Sequence, residues 1–291
     1  MHVHSYFSGA CTTPFVRGFC RESYSDPREV HALLKRRGMD LFTLTDHDSI
    51  EGAEKLRREP NFFLSEELTC RMPSGTEVHI GVYDFHERQH AQLLQRRNDL
   101  VALLMYLTER RLLFGINHVF SSLTGRRDLE DFEWFQEYFP AIETKNSHML
   151  EKTNACAARL AKQWNKIAIG GSDAHALASV GTAFTDVPGA RDKEEFFDGL
   201  KQGFGRVKGE SGGFAKLTRD VLLISGEMMR EKSWTALLTP LAVLIPAFTY
   251  WNFHGERRFS RRWAAQVLDR SKSPKRSRWL TVPQPAVEEC P

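Results

Sequence analysis

The chain has 291 residues, 41% apolar and 26% charged, an ordinary globular composition that allows one large α/β domain or two smaller ones. Its 40 basic residues nearly balance 37 acidic ones, but residues 256–291 hold nine Lys or Arg against four acids, so any affinity for polyanions is expected in that tail. Five irregularly spaced cysteines (Cys11, Cys20, Cys70, Cys156 and Cys290) argue against a disulfide framework, and no Cys-x-x-Cys pair suggests a structural zinc or a dithiol.

The N-terminal "MHVHSYFSGA" shows no basic leader followed by an apolar run, so a cytoplasmic location is expected. His2 and His4 point the same way only on an extended backbone, where side chains repeat every second residue. Next, "DPREVHALLKRRGMD" reads as a helix, with Asp26 as its cap, Pro27 in its first turn and Gly38 at its stop. "LFTLTDHDS" then reads as a buried strand entering a polar loop. The same figure recurs twice. A long helical pattern, "QLLQRRNDLVALLMYLTERRLL", precedes the strand-like "FGINH", and the helical "EKTNACAARLAKQWN" precedes "KIAIGGSDAH". Repeated βα units of this kind fit either an open doubly wound sheet or a closed barrel.

After Phe204, "GRVKGESGGFAKLT" reads as an exit loop. Residues 234–253 then carry no charge, with Trp234 at one end, Tyr250 and Trp251 at the other, and an Arg-rich flank beyond. Twenty such residues reach across a bilayer, although Pro240 and Pro246 interrupt them. Two readings stay open: membrane contact on the cytoplasmic face, or a helical hairpin facing protein. The division expected is a catalytic unit over 1–210, an apolar helical extension over 211–255, and a basic, disordered tail over 256–291.

The candidate chemistry lies at strand ends. His47 follows "LFTLTD", Glu67 follows "NFFLSE", His79 sits in "EVHIGVY", His118 ends "FGINH", and Asp173 and His175 follow "KIAIGGS". In a βα barrel such positions converge on one rim although they are far apart in sequence. A nitrogen- and oxygen-rich set without thiolate suits Zn, Mn or Fe at a hydrolytic centre, where clustered cations lower the pKa of bound water and clamp an anionic oxygen. Phosphate esters are the natural substrates of such a centre.

Together "HVHSYFS", "TLTDHDS", a strand-end Glu, "EVHIGVY", "INH" and "GSDAH" resemble, in order, the motifs of the polymerase-and-histidinol-phosphatase (PHP) superfamily over roughly residues 1–210. The resemblance implies a distorted seven-stranded βα barrel holding two or three divalent metal ions and hydrolysing phosphoesters. It implies His2, His4, His47, Glu67 (rather than Glu66), His79, His118, Asp173 and His175 as ligands. In the mechanism expected here, Asp173 or His175 also helps the leaving group. Lys145 and Asn146 of "ETKNSH" are candidates for contact with phosphate or sugar, as are Arg17 and Arg21 in the loop after the first strand.

Two departures from the family pattern carry consequences. Gly9 stands where the family commonly has an Asp able to ligate, which leaves one metal position to water or to another acid such as Asp48. Only Met1 precedes His2, whereas a strand runs about five residues, so a frayed first strand or a start upstream of Met1 is expected. The leading expectation is hydrolysis of a small-molecule or nucleotide phosphomonoester by metal-activated water. The alternatives are a nuclease acting on nucleic-acid ends and a catalytically weakened metal-binding module tethered to a membrane.

Overall fold

The computed structural model describes residues 1–11, 16 and 18–270. A five-stranded sheet in the order β1–β2–β3–β4–β5 forms its centre. β1 (Ser65–Arg71) and β2 (Glu77–Tyr83) make an antiparallel hairpin, and β2 pairs antiparallel with β3 (Leu113–Ile116). β3, β4 (Ala141–Asn146) and β5 (Ile167–Gly171) run parallel. A second, two-stranded antiparallel sheet pairs β6 (Ala183–Asp186) with β7 (Arg206–Gly209).

The fold is therefore mixed α/β, and the expected seven-stranded barrel does not form among the described residues. The stretches around His2–His4 and Phe42–His47 make single parallel bridges, Val3 to Ala174, Phe42 to Phe62 and His47 to Glu67, instead of ladders. Each leaves the extended conformation too soon to pair further. The Ser5 side chain accepts from Phe7 N and starts a 3-10 helix at Tyr6–Ser8, while Asp48 turns the other segment at φ 51°. The "exit loop" also proves partly strand, because "RVKG" finds its partner in "AFTD" and becomes β7.

Local chemistry sets the helix ends. α1 (Pro27–Arg36) begins where Asp26 accepts from Arg28 N, as its sequence implies. α2 (Glu51–Glu54) is a single turn. The long helical pattern around residues 92–113 divides into α3 (Glu87–Arg96) and α4 (Leu100–Glu109), because Asp99 accepts from Ala102 N and caps a new helix. α5 (Leu129–Tyr138) and α6 (Glu151–Gln163) cross between the parallel strands, and α7 (Lys193–Lys201) lies between β6 and β7.

α8 (Phe214–Glu231) folds against a 3-10 helix (Ser233–Leu244) that continues into α9 (Ile245–Arg270). Thr218 and Thr249 hydroxyls meet at 2.7 Å across this hairpin. Pro240 removes a donor inside the 3-10 helix, and Pro246 falls in the first turn of α9, where its missing N–H costs nothing. Residues 256–270, expected within a disordered tail, continue α9, and Trp263, Ala264, Val267 and Leu268 pack into the main core. The tail beyond Arg270 lies outside the described residues.

One close approach holds the N-terminal segment against the sheet. A Cβ on Gly171 would lie 2.2 Å from His2 Cβ and 2.6 Å from His2 N, distances no real Cβ occupies. Replacing Gly171 by Ala is expected to push His2 off β5 and cost about 1–3 kcal/mol of stability. Thermal unfolding of the purified variant measures this, and an unchanged melting temperature would contradict the packing.

Candidate metal centre

Two short i, i+2 pairs create the centre. Val3 bridges Ala174 in parallel, with Asp173 N donating to His2 O (2.8 Å) and His4 N to Ala174 O (3.1 Å). Val3 and Ala174 go to a buried apolar cluster, so period-2 alternation turns His2 and His4 to the same side as Asp173 and His175. The same rule separates two adjacent glutamates on β1. Glu67 faces the imidazoles, whereas Glu66 faces outward to His90 of α3 (2.8 Å).

Glu67 is the hub. Its Oε2 lies 3.1 Å from His2 Nε2, 3.3 Å from His4 Nε2 and 3.4 Å from His47 Nε2. Its Oε1 lies 3.4 Å from His79 Nδ1 and 3.3 Å from His118 Nε2, and it accepts from Asn117 Nδ2 at 2.8 Å. Asp173 Oδ1 stands 3.4 Å from His2 Nε2 and 3.3 Å from His4 Nε2. All eight residues implied as ligands thus gather in one cluster.

The spacing fits cations. His2 Nε2 and His4 Nε2 are 3.0 Å apart, and each lies 3.1–3.4 Å from Glu67 Oε2 and Asp173 Oδ1. A tetrahedron of ligands at zinc-like bond lengths has edges of about 3.3 Å. Buried contacts also fix which nitrogen each imidazole presents. His2 Nδ1 donates to Glu143 Oε1 (2.8 Å), His4 Nδ1 to Ser8 Oγ (2.9 Å), and His175 Nδ1 to the Asp173 carbonyl (2.9 Å), leaving all three Nε2 lone pairs inward. His79 Nδ1 is buried with no aligned hydrogen-bond partner and faces Glu67.

A supporting layer holds these groups. Asp46 accepts from Ser5 N, Ser5 Oγ and Ser8 Oγ, and so fixes His4 through Ser8. Glu143 also accepts from His118 N and from Asn146 Nδ2, and Asn146 Nδ2 reaches Asp173 Oδ2 at 2.9 Å. His118 (φ 28°) and Asp173 (φ 48°) adopt the left-handed conformation, which costs a non-glycine residue on the order of 1–3 kcal/mol. Such strain persists where surrounding contacts over-determine the position.

The electrostatics are those of crowded imidazoles and carboxylates competing for protons. Burial pushes His4 down to about 3, helped by His175 and His47. Burial also opposes the charge on His175, yet Glu22 and Asp173 outweigh it and raise that imidazole to about 9. Glu67 is held well below the ordinary carboxylate range, because the attraction of His2, His47 and His79 overcomes its burial. Cations binding here take over the charge compensation that protons provide.

Other expectations meet a different outcome. Asn146 is buried and donates its amide to Glu143 and Asp173. Lys145 is tied to Glu151 Oε2 and Ser211 Oγ, both at 3.0 Å. Arg21 pairs with Glu231, and Arg17 lies outside the described residues. Asp48 accepts from Thr69 N and pairs with Arg97. The carboxylate that enters the cluster is Glu22, which no motif marked. His148 also joins it, with a nitrogen or oxygen of His148, Asp173 and His175 within 4.8 Å of one another, and its Nε2 is held at 3.0 Å by buried Asp220 of α8.

Residues 151–204 match the family model described as PHP-associated, which bears out the resemblance to the PHP superfamily. No curated protein matches the chain. Among solved structures, the chain is similar to PsfC from Pseudomonas syringae PB-5123, with a TM-score of 0.53 and 18% identity over 79% of this chain and 96% of that one. It is also similar to a candidate metal-dependent phosphoesterase from Bifidobacterium adolescentis, with a TM-score of 0.47 and 12% identity over 69% of this chain and 95% of that one. At these identities the likeness to PsfC speaks to the fold.

The register of β1 yields a direct test. Glu67→Gln is expected to lower bound transition metal by at least one equivalent, whereas Glu66→Gln leaves metal content unchanged. Elemental analysis of the two purified variants distinguishes the faces, and equal losses would contradict the alternation.

Proposed function

We propose that this chain, PHP-like in its motifs and matched by the PHP-associated model over residues 151–204, is a metal-dependent phosphoesterase acting on a small-molecule or nucleotide phosphomonoester. The observation that carries the reading is a cluster of imidazoles and carboxylates buried at its base and partly exposed on one side. The side chains of His2, His4, Glu67, Asp173 and His118 are at most 4% exposed, whereas those of His47, His79, His175 and Glu22 are 14–19% exposed. Structural metal sites are saturated and closed, and catalytic ones keep a side open to substrate.

In this reading His2, His4 and Asp173 would hold one cation and His47, Glu67 and His79 another, with His118 beside Glu67. Divalent cations at these positions supply Lewis acidity to a phosphoester and neutralise its charge. The remaining work falls to the chain. Asn117, Glu143 and Asn146 keep Glu67, His2 and Asp173 in place, so little reorganisation is needed when charge develops on the phosphoryl oxygens. In this reading Asp173 or His175, whose Nδ1 is fixed on the Asp173 carbonyl, would assist the departing oxygen.

The first experiment is elemental analysis of protein purified without chelator, beside His47→Ala and Asp173→Ala, followed by turnover of p-nitrophenyl phosphate, mononucleotides and end-labelled oligonucleotides. Two or more equivalents of transition metal and phosphomonoester turnover are expected, with activity falling roughly 100-fold in either variant. Turnover confined to oligonucleotides would replace the reading with a nuclease. Metal without turnover on any phosphoester would favour a binding module.

We also propose that residues 234–253 rest on an anionic bilayer surface on the cytoplasmic side. Here Leu237 is 83% exposed, Val243 77% and Trp251 79%, and the apolar window of this helical region is only 6% buried. Arg257, Arg258, Arg261 and Arg262 follow Tyr250 and Trp251 along the chain, which suits an interface where aromatic rings meet lipid and cations meet headgroups. The full chain is expected to float with phosphatidylserine-containing vesicles, and a Leu237→Asp/Trp251→Asp variant to stay behind. A wild-type chain that never floats would overturn the proposal.

A further inference from the structure

Glu22 is a carboxylate on the wet side of the cluster whose neighbours are imidazoles. Its Oε2 lies 3.4 Å from His47 Nε2 and its Oε1 3.6 Å from His175 Nε2, and it faces the same cluster in which nitrogens of His4, His47 and His175 come within 4.8 Å of one another. These carboxylate–imidazole distances exceed an ordinary charge-assisted hydrogen bond of about 2.8 Å. They are close to the spacing of two atoms that share a cation, about 3.3 Å.

Where Glu22 comes from matters more. Ala10 bridges Arg21 in antiparallel register, Cys11 N donates to Cys20 O, and Glu22 N donates to Gly9 O at 3.0 Å. Glu22 is therefore the residue directly opposite Gly9. Gly9 itself adopts φ 85° and ψ −156°, a conformation that is essentially glycine-only. An acid at position 9 would have to strain the backbone or move the loop, whereas the longer side chain of Glu22 reaches the cluster from the facing strand.

The returning strand is also anchored outside the centre. Arg21 pairs with Glu231 at the end of α8, Lys232 Nζ donates to Phe19 O, and the Phe19 ring meets Trp234 edge-on at 5.1 Å. Glu22 is thus held on a braced segment while its carboxylate points inward.

We infer that Glu22 is the carboxylate ligand of a further divalent transition cation held with His47 and His175 on the wet side of the centre. The acid missing at Gly9 is supplied from across the hairpin. A two-nitrogen, one-carboxylate set with a side open to solvent suits Zn, Mn or Fe and leaves room for a phosphoryl oxygen. The inference rests on the metal-centre reading above and adds a ligand to it.

The test uses the full chain, stripped with chelator and titrated with Co2+, with bound metal counted after dialysis and the visible absorption of Co2+ recorded. Glu22→Gln preserves shape and removes the anionic donor, and Glu22→Asp keeps the charge but shortens the reach. Relative to wild type, Glu22→Gln is expected to lose about one equivalent of Co2+ and the matching part of the absorption band, while the remaining equivalents stay bound. Glu22→Asp is expected to bind that last equivalent at least tenfold more weakly. Circular dichroism spectra superimposing on wild type establish that both variants fold. Unchanged stoichiometry and spectrum in Glu22→Gln would overturn the assignment of Glu22 while leaving the rest of the centre intact. A wild-type chain that takes up no Co2+ would overturn the metal-centre reading itself, and this ligand with it.

Discussion

Everything at the centre depends on burying the Glu67 carboxylate. A naked charge at that depth is prohibitively costly, and no Lys or Arg compensates it among the described residues that contact it. Its partners are five imidazoles and one amide, contributed by segments spread from residue 2 to residue 118. Imidazoles are suited to this task because they can present a lone pair to a cation or a proton to an anion. The same cluster is therefore satisfied in two ways, by protons without metal or by divalent cations with it. That duality is what a loading site needs and what a purely structural ion-pair network does not.

The surrounding layer is costly and polar. Asp46, Glu143, Asn146 and Asn117 are all buried, and each spends its hydrogen bonds on a ligand or on the segment carrying one. Apolar residues of similar volume would be cheaper for folding alone. His118 and Asp173 hold unfavourable backbone conformations at the same place. Stability has been given up locally in exchange for fixed orientations, which is the pattern expected where ligands must meet cations at set distances.

Much of this was legible in the chain because strand periodicity is a strong and local signal. His-x-His and Asp-x-His each fix a face once the backbone is extended, and "EVHIGVY" reads off as β2 residue for residue. Which of Glu66 and Glu67 faces the imidazoles is a matter of alternation and pairing, and with His47 bridged to Glu67 it is Glu67 that does. What escaped the sequence was set by partners distant in the chain. β7 looks like a loop until "AFTD" is beside it, and one Asp99 side chain cuts an otherwise continuous helical pattern in two. The family resemblance implies a barrel, whereas the βα repeats alone fit an open sheet equally, and single bridges at Val3 and His47 leave a five-stranded sheet in its place. Glu22 escaped for a related reason, since its position follows from a cross-strand register with Gly9 that no spacing motif encodes.

The C-terminal helices look like an appendage in sequence, yet they reach the centre from three directions. Asp220 of α8 holds His148 beside His175, Glu231 and Lys232 brace the strand bearing Glu22, and Glu256 of α9 accepts from Ser122 N in the loop after His118. The far end of α9 is sunk in the main core through Trp263 and Val267, so the hairpin cannot shift as a loose arm. Between these anchors lies the uncharged, exposed run of residues 234–253. A surface that seats this run would bear on the same residues that brace Glu22 and orient His148. Contact at the apolar hairpin and geometry on the wet side of the centre are thereby joined through a few short, named links.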